Sequence, residues 1–421
     1  MTTATLATPA STTVRNRVIS GVLLILLGLA IFLLFVRDTE PGQLATFGMN
    51  ISANPQAIRI PDLILPVQPT LYVLILITVF AGAYQAARGI KSPGLIVATV
   101  AFTFVFAFLI WATRDKSFNM VGMLSSSLVR ATPIALAALC GVISERAAVV
   151  NIGIEGTMLF AAQTSVIAAT VTGNLYFGLL VGILTGALVA GIHAILCIRF
   201  TVNQIVSGTA INILGIGATS FVASRFLERN TDVLNNSGTL RIIQIPVLSK
   251  IPILGPIFFE NGLIVYMMLL IVAVMYFVLF YTPWGLRTRA VGEHPKAADT
   301  LGINVYFMRY VNVIVGGMIA GLGGAYFTLG SVGRFDEGMT AGKGFIGLAA
   351  MIFGNWNPVG AFTSSLIFGF ADSLQIKMQI LSVSIPSSFL AMAPYIVTMI
   401  VLTGVVGRAT PPAADGEPYE K

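Results

Sequence analysis

The chain is poor in the side chains that usually carry chemistry. Among its 421 residues are only two histidines, His193 and His294, and two cysteines, Cys140 and Cys197. No Cys/His cluster has the spacing of a metal site, and no disulfide framework is indicated. His193, on a glycine-rich stretch, reads as a packing residue with its ring satisfied locally. No serine stands in a Gly-x-Ser-x-Gly setting. The run Gly338-Met339-Thr340-Ala341-Gly342-Lys343-Gly344 is similar to a phosphate loop but fails as one. Its glycine spacing is one residue short, Gly344 replaces the Ser/Thr, and an apolar helix precedes it instead of a strand. Asp372 is a lone acid in an apolar stretch, without the second aspartate of an intramembrane aspartyl protease. No catalytic residue, metal or cofactor is therefore expected.

Polar residues set between apolar runs say more, because lipid cannot satisfy them. The block Ser144-Glu145-Arg146-Ala147-Ala148-Val149-Val150-Asn151-Ile152-Gly153-Ile154-Glu155-Gly156 adjoins two short apolar runs. Discontinuous helices with ionisable flanks point to transport paths in secondary transporters, and by analogy they mark Asn151 and Glu155 as path or gate residues. Glu145 and Arg146 also suit a local surface pair. Asn203, Gln204 and Asn212 lie near and inside an apolar span, where they serve either inter-helix hydrogen bonds or pore lining. A second interrupted element is the short run 344–354, which carries Phe345 and ends at Asn355-Trp356-Asn357-Pro358. Trp356 would also suit an interfacial anchor.

The segment 283–309 carries a different signal. Pro295 fits a first helical turn, Ala297 and Ala298 favour helix, and Gly302 is placed to end it in the left-handed region. The resulting helix, 294–301, has about two turns and is too short to be stable alone. It must dock. Its small apolar face, Ala298 and Leu301, favours a protein groove over lipid, an interfacial helix being the alternative.

The elements that position these residues are membrane spans. Hydrophobic residues make up 56% of the chain and charged ones 10%, with mean hydropathy +0.89. A soluble domain carries about 25% charged residues, so a water-soluble enzyme is excluded. Twelve apolar runs are candidate spans: 18–36, 71–87, 94–112, 131–144, 156–172, 174–197, 205–225, 262–282, 310–329, 344–354, 359–376 and 388–407. Crossing takes about 20 helical residues, so 131–144 and 344–354 are too short unaided. The first run reads as a retained helix, not a cleaved signal peptide. The fold class is all-α, a polytopic transmembrane bundle of ten to twelve spans, some short or interrupted. The 24 Lys and Arg divide evenly between the two sides, but their density in short loops places both termini in the cytoplasm. Glycines four apart, Gly178, Gly182, Gly186 and again Gly317, Gly321, suit close helix packing. The outward loop 226–261 is long enough to contact an extracytoplasmic receptor. No basic cluster interleaved with aromatics suggests nucleic acid.

Three blocks carry a family resemblance. Ala297-Ala298-x-x-x-Gly302 resembles the Glu-Ala-Ala-x-x-x-Gly loop by which permeases of ABC importers seat on their ATPase subunits, with Lys296 in place of the Glu. Asn151-x-Gly153-x-Glu155-Gly156 resembles a segment of the permeases for simple sugars, branched-chain amino acids and nucleosides. Residues 337–346, 353–358 and 202–208 resemble the nucleoside-uptake branch. The resemblance implies an ABC permease core at 120–407, between an N-terminal extension of about three helices (1–119) and a polar cytoplasmic tail (408–421). It implies ATPase coupling through Gly292, Glu293, Pro295, Ala297, Ala298, Leu301 and Gly302. It implies a path drawn from Asn151, Glu155, Asn203, Gln204, Asn212, Phe345 and Asn355, in a bacterial inner-membrane protein. The implied partners are a separate ABC ATPase, a second homologous permease, an extracytoplasmic substrate-binding lipoprotein and membrane lipid. A simple-sugar or riboflavin-type cargo is the alternative within the family; an ion-coupled transporter or a membrane enzyme is the alternative outside it.

Overall fold

A computed structural model describes residues 9–51, 58–90, 93–381 and 409–420, with Pro386, Phe389 and Met392. The run 388–407 expected as a last span lies outside the described residues. The chain divides into two compact units, residues 1–122 with 376–390 and residues 123–375 with 391–421.

The first unit contains α1 (Pro9–Leu34), β1 (Leu44–Gly48), β2 (Leu63–Pro66), α2 (Val67–Ala87), α3 (Pro93–Ala112) and β3 (Ser117–Asn119). Helices α1 and α2 meet where a side chain on Gly21 would come within 2.7 Å of the Gly82 carbonyl. The central strand β1 pairs antiparallel with β2 and parallel with β3. This small sheet is the one part of the unit that apolar periodicity did not announce.

The second unit is built on α4 (Met120–Glu145), α5 (Ile154–Thr172), α6 (Leu175–Ala194) and α7 (Gln204–Val222). The expected outward loop then holds α8 (Thr231–Leu234), β4 (Ile242–Gln244), α9 (Leu254–Phe258) and β5 (Glu260–Gly262), with β4 and β5 antiparallel. After it come α10 (Leu263–Tyr281), α11 (Pro283–Glu293), α12 (Pro295–Thr300), α13 (Val305–Phe327), α14 (Lys343–Phe353) and α15 (Pro358–Ile380). Nine helices among the described residues are long and apolar enough to cross a membrane, and Ala98–Ala112 and Lys343–Phe353 are shorter apolar helices. This is a multi-pass helical membrane protein.

Two expectations need correction. The run 131–144 is not a short span but the second half of the 26-residue α4. Arg130 interrupts the apolar run, yet its guanidinium lies 3.5 Å from Asp372 on α15. The helix also continues through Pro133, which cannot donate to the Val129 carbonyl. The Tyr326 hydroxyl supplies that missing donor at 2.9 Å. The segment 283–309, expected as a loop with one short helix, is two consecutive helices capped by Thr282 and His294, followed by the first turn of α13. The glycines spaced by four do bring backbones together. A side chain on Gly186 would come within 2.1 Å of the Gly317 carbonyl, and one on Gly321 within 2.5 Å of the Gly182 carbonyl, so α6 and α13 pack in direct backbone contact.

Candidate functional site

Glu155 organises the centre of the second unit. It lies in the first turn of α5 and is 4% exposed. Its Oε1 accepts from the Thr340 hydroxyl at 2.5 Å and the Gly342 amide at 2.8 Å, and its Oε2 accepts from the Gly344 amide at 2.6 Å. A helix N-terminus presents unpaired amides and a partial positive charge, and a carboxylate satisfies both. The segment similar to a phosphate loop is thus an anion nest, and its anion is the chain's own Glu155.

The other amides stitch the irregular stretch 146–153 to its neighbours. Gln204 accepts from the Val150 amide at 2.6 Å. Asn212 accepts from the Gly156 amide at 2.8 Å and donates to the Ile152 carbonyl at 2.9 Å. Asn151 accepts from the Gly153 amide at 3.1 Å, and its Nδ2 lies 3.8 Å from Cys140 Sγ. His193 closes the set: Nε2 donates to the Val150 carbonyl at 3.0 Å, which leaves Nδ1 to accept from the Ser207 hydroxyl at 3.0 Å. Glu145 and Arg146 do not pair with each other. Buried Trp356, expected as an interfacial anchor, donates to Glu145 at 2.5 Å, while Arg146 donates to the carbonyls of Trp356 and Asn355 at 2.9 and 3.3 Å.

The structure gathers Asn151, Glu155, Gln204 and Asn212 around one loop, all buried. It sets the other three candidates apart. Asn203 caps α7 from an exposed position, Asn355 lies beyond the opposite end of α14, and Phe345 projects from that helix with 46% exposure.

The short helix expected at 294–301 is α12, Pro295–Thr300, whose first turn is capped by His294 Nδ1 accepting from the Ala297 amide at 3.1 Å. Gly302 ends it at φ +82°, a conformation that is cheap only for glycine. Ala298 and Leu301 do not share a face, however. Ala298 is 2% exposed, packed with Val291, Val305, Met308 and Tyr419, whereas Leu301 is 82% exposed. Glu293, Lys296, Ala297 and Gly302 are exposed with it, while Gly292 is buried against the Arg146 carbonyl.

Comparison with known proteins places the chain in a family. The family model described as branched-chain amino acid transport system, permease component, matches residues 123–406. The guanosine ABC transporter permease protein NupQ of Bacillus subtilis is 45% identical over 313 residues, 70% of this chain and 95% of that protein. The chain belongs to this family of ABC transporter permeases. The nucleoside ABC transporter permease protein NupC of Lactococcus lactis is 41% identical over 71% of this chain and 96% of its own. A putative glucose ABC transporter permease protein of Haloferax volcanii is 38% identical over 63% of this chain and 80% of its own. No solved structure gives a significant match.

In this permease two features escaped the sequence reading. Asp372, a single acid, is ion-paired: Lys343 Nζ lies 3.0 Å from its Oδ2 and Arg130 Nη1 3.5 Å from the same atom. Three helices, α4, α14 and α15, meet at that carboxylate. The second is the packing of residues 409–420, part of the expected polar tail, against the ends of α11 and α14 and against α12 and α13. In sequence the first shows only as ionisable residues at the edge of or inside apolar runs, with no local sign that they pair. The second had no sequence signal beyond Tyr419.

Proposed function

We propose that this permease is one transmembrane subunit of an ATP-driven importer and that its cargo is a nucleoside. The observation that carries this is the 45% identity to a guanosine permease along 95% of that protein. ATP is hydrolysed on a separate ATPase, which seats on α12 and its exposed Leu301. A second homologous permease completes the path, and an extracytoplasmic lipoprotein delivers the solute. The face carrying 283–304 and 409–420 is cytoplasmic, with both termini on that side of a bacterial inner membrane.

In this reading Glu155, Asn151, Gln204 and Asn212 build the wall of the path by holding α14 and the 146–153 stretch in place. Phe345, exposed on the first turn of α14, meets the solute. A nucleobase stacks on an aromatic ring with about 1–3 kcal/mol per base in single-strand binding proteins, so Phe345 suits a base better than a sugar. The ion-coupled alternative needs intramembrane acids free to bind a cation. Here Glu155 already accepts three hydrogen bonds and Asp372 faces two cations.

The test is labelled guanosine uptake into proteoliposomes holding the complete complex. Uptake should require ATP and ignore ion gradients, and excess glucose should not compete. ATP-driven uptake of labelled glucose and not of labelled guanosine would favour the sugar reading suggested by the 38% identity to a putative glucose permease. Uptake driven by an ion gradient without ATP would overturn the assignment.

A further inference from the structure

Residues 409–420 lie beyond the family match, which ends at residue 406. They form no regular element, yet Pro412, Ala414 and Tyr419 are buried. The Thr410 amide donates to Asn355 Oδ1 at 3.1 Å, tying the tail to the end of α14. The Ala413 amide donates to Glu293 Oε2 at 3.3 Å and the Ala414 amide to the Gly292 carbonyl at 3.0 Å, tying it to the end of α11. Arg309 on α13 donates to the Glu417 carbonyl at 3.0 Å. Tyr419 then enters the apolar cluster of Val291, Ala298, Val305 and Met308, its ring 5.3 Å from that of Tyr306. A side chain on Gly292 would meet the Arg146 carbonyl at 2.3 Å and Pro412 at 3.4 Å, so the α11–α12 junction is pressed between the core and the tail.

Ordering twelve residues of coil is entropically costly, and only specific contacts offset it. Those contacts converge on one place. The six-residue α12 is too short to hold itself, and its single fully inward side chain, Ala298, rests in the cluster that Tyr419 completes. We propose that the C-terminal segment is a latch that fixes the coupling helix α12 against α13 and the end of α14, with Tyr419 and Arg309 as its positioning residues. This rests on the reading that α12 seats the ATPase. Motion of the ATPase reaches the core only if α12 cannot swing freely; with the latch open, hydrolysis continues and the path does not respond.

The experiment measures solute transported per ATP hydrolysed by the complete complex in proteoliposomes, with the full chain, with a chain ending at Arg408, and with Tyr419→Ala and Tyr419→Phe. The truncated chain and Tyr419→Ala should hydrolyse ATP but lose about fivefold or more in transport per ATP, the low end of typical coupling effects. Tyr419→Phe, which keeps the ring, should retain most of it. A synthetic peptide of residues 409–421 should restore the truncated complex in part. Should the truncated chain fail to insert, Tyr419→Ala decides. An unchanged ratio in Tyr419→Ala, at equal abundance, overturns the latch while leaving the permease assignment intact. Absence of ATP-driven uptake by the full chain overturns both.

Discussion

Glu155→Gln is the sharpest perturbation available, because it changes one atom of a nearly isosteric side chain. In the native protein one carboxylate accepts three hydrogen bonds, from Thr340, Gly342 and Gly344, at 2.5, 2.8 and 2.6 Å. Gln retains one oxygen. Whichever way its amide turns, an NH2 group then faces a buried donor, either the Gly344 amide or the Thr340–Gly342 pair. An unsatisfied buried donor costs about 1–3 kcal/mol, and loss of the charge at the α14 N-terminus adds about 0.3–1 kcal/mol. The full variant Glu155→Ala strands all three donors. Because they share one acceptor and relax together, their costs do not add, and about 3–6 kcal/mol is expected in place of the simple sum. Against a typical total stability of about 5–15 kcal/mol, the alanine variant should be near the limit of folding and the Gln variant clearly weakened. Thermal melting of the detergent-purified protein, followed by its aggregation, ranks the three; uptake by the intact complex shows whether α14 still sits correctly. Wild-type melting and wild-type uptake by Glu155→Gln would refute the claim that this carboxylate caps the half-helix.

Three further outcomes follow from the same geometry. Leu301→Glu should leave stability unchanged but sharply reduce co-purification of the ATPase, while Ala298→Glu, which buries a charge in the Val291–Tyr419 cluster, should destabilise the protein itself; melting and pull-down separate them. Tyr326→Phe should cost about 1–3 kcal/mol by orphaning the Val129 carbonyl, and adding Pro133→Ala should recover part of that loss by restoring a backbone donor, which a double-mutant cycle on melting temperature reads directly. Burial lifts the Asp415 carboxyl to about 6, with the Glu145 side chain, the Gly416 amide and the Arg309 charge pulling it back. A pKa raised on docking means the tail is held fully at low pH and less firmly as pH rises through about 6, so proteolysis of residues 409–420 should be faster at pH 8 than at pH 5, with Asp415→Asn abolishing the difference.

Much of the fold was legible because lipid demands long apolar runs and small residues at helix contacts. The glycines spaced by four pointed to close packing, and Gly186 and Gly317 meet in it. Arg130 misled because an ionisable residue ends an apolar run whether or not it ends a helix; its ion-pair partner Asp372 is 242 positions away in sequence, and nothing local reports that. The three-stranded sheet of the first unit was illegible for a similar reason. Its strands have three to five residues, too few for a period of two to register.

The candidate site divides along the same line. A polar residue in an apolar run announces that it needs a partner, but the partner comes from the fold: Glu155 reaches 185 to 189 positions ahead and Trp356 reaches 211 back. Residues chosen for polarity alone therefore include many whose polarity is consumed internally, as Gln204 and Asn212 show. Once those pairs are closed, what stays unpartnered becomes the better guide to function. Just past α12 that residue is Leu301, a large apolar side chain 82% exposed at the C-cap of a six-residue helix; on α14 it is Phe345, 46% exposed on a short helix whose N-terminus Glu155 caps. Both side chains leave much of their apolar surface uncovered by the subunit. Under the proposed reading each becomes a testable contact, Leu301 with an ATPase subunit and Phe345 with a passing solute.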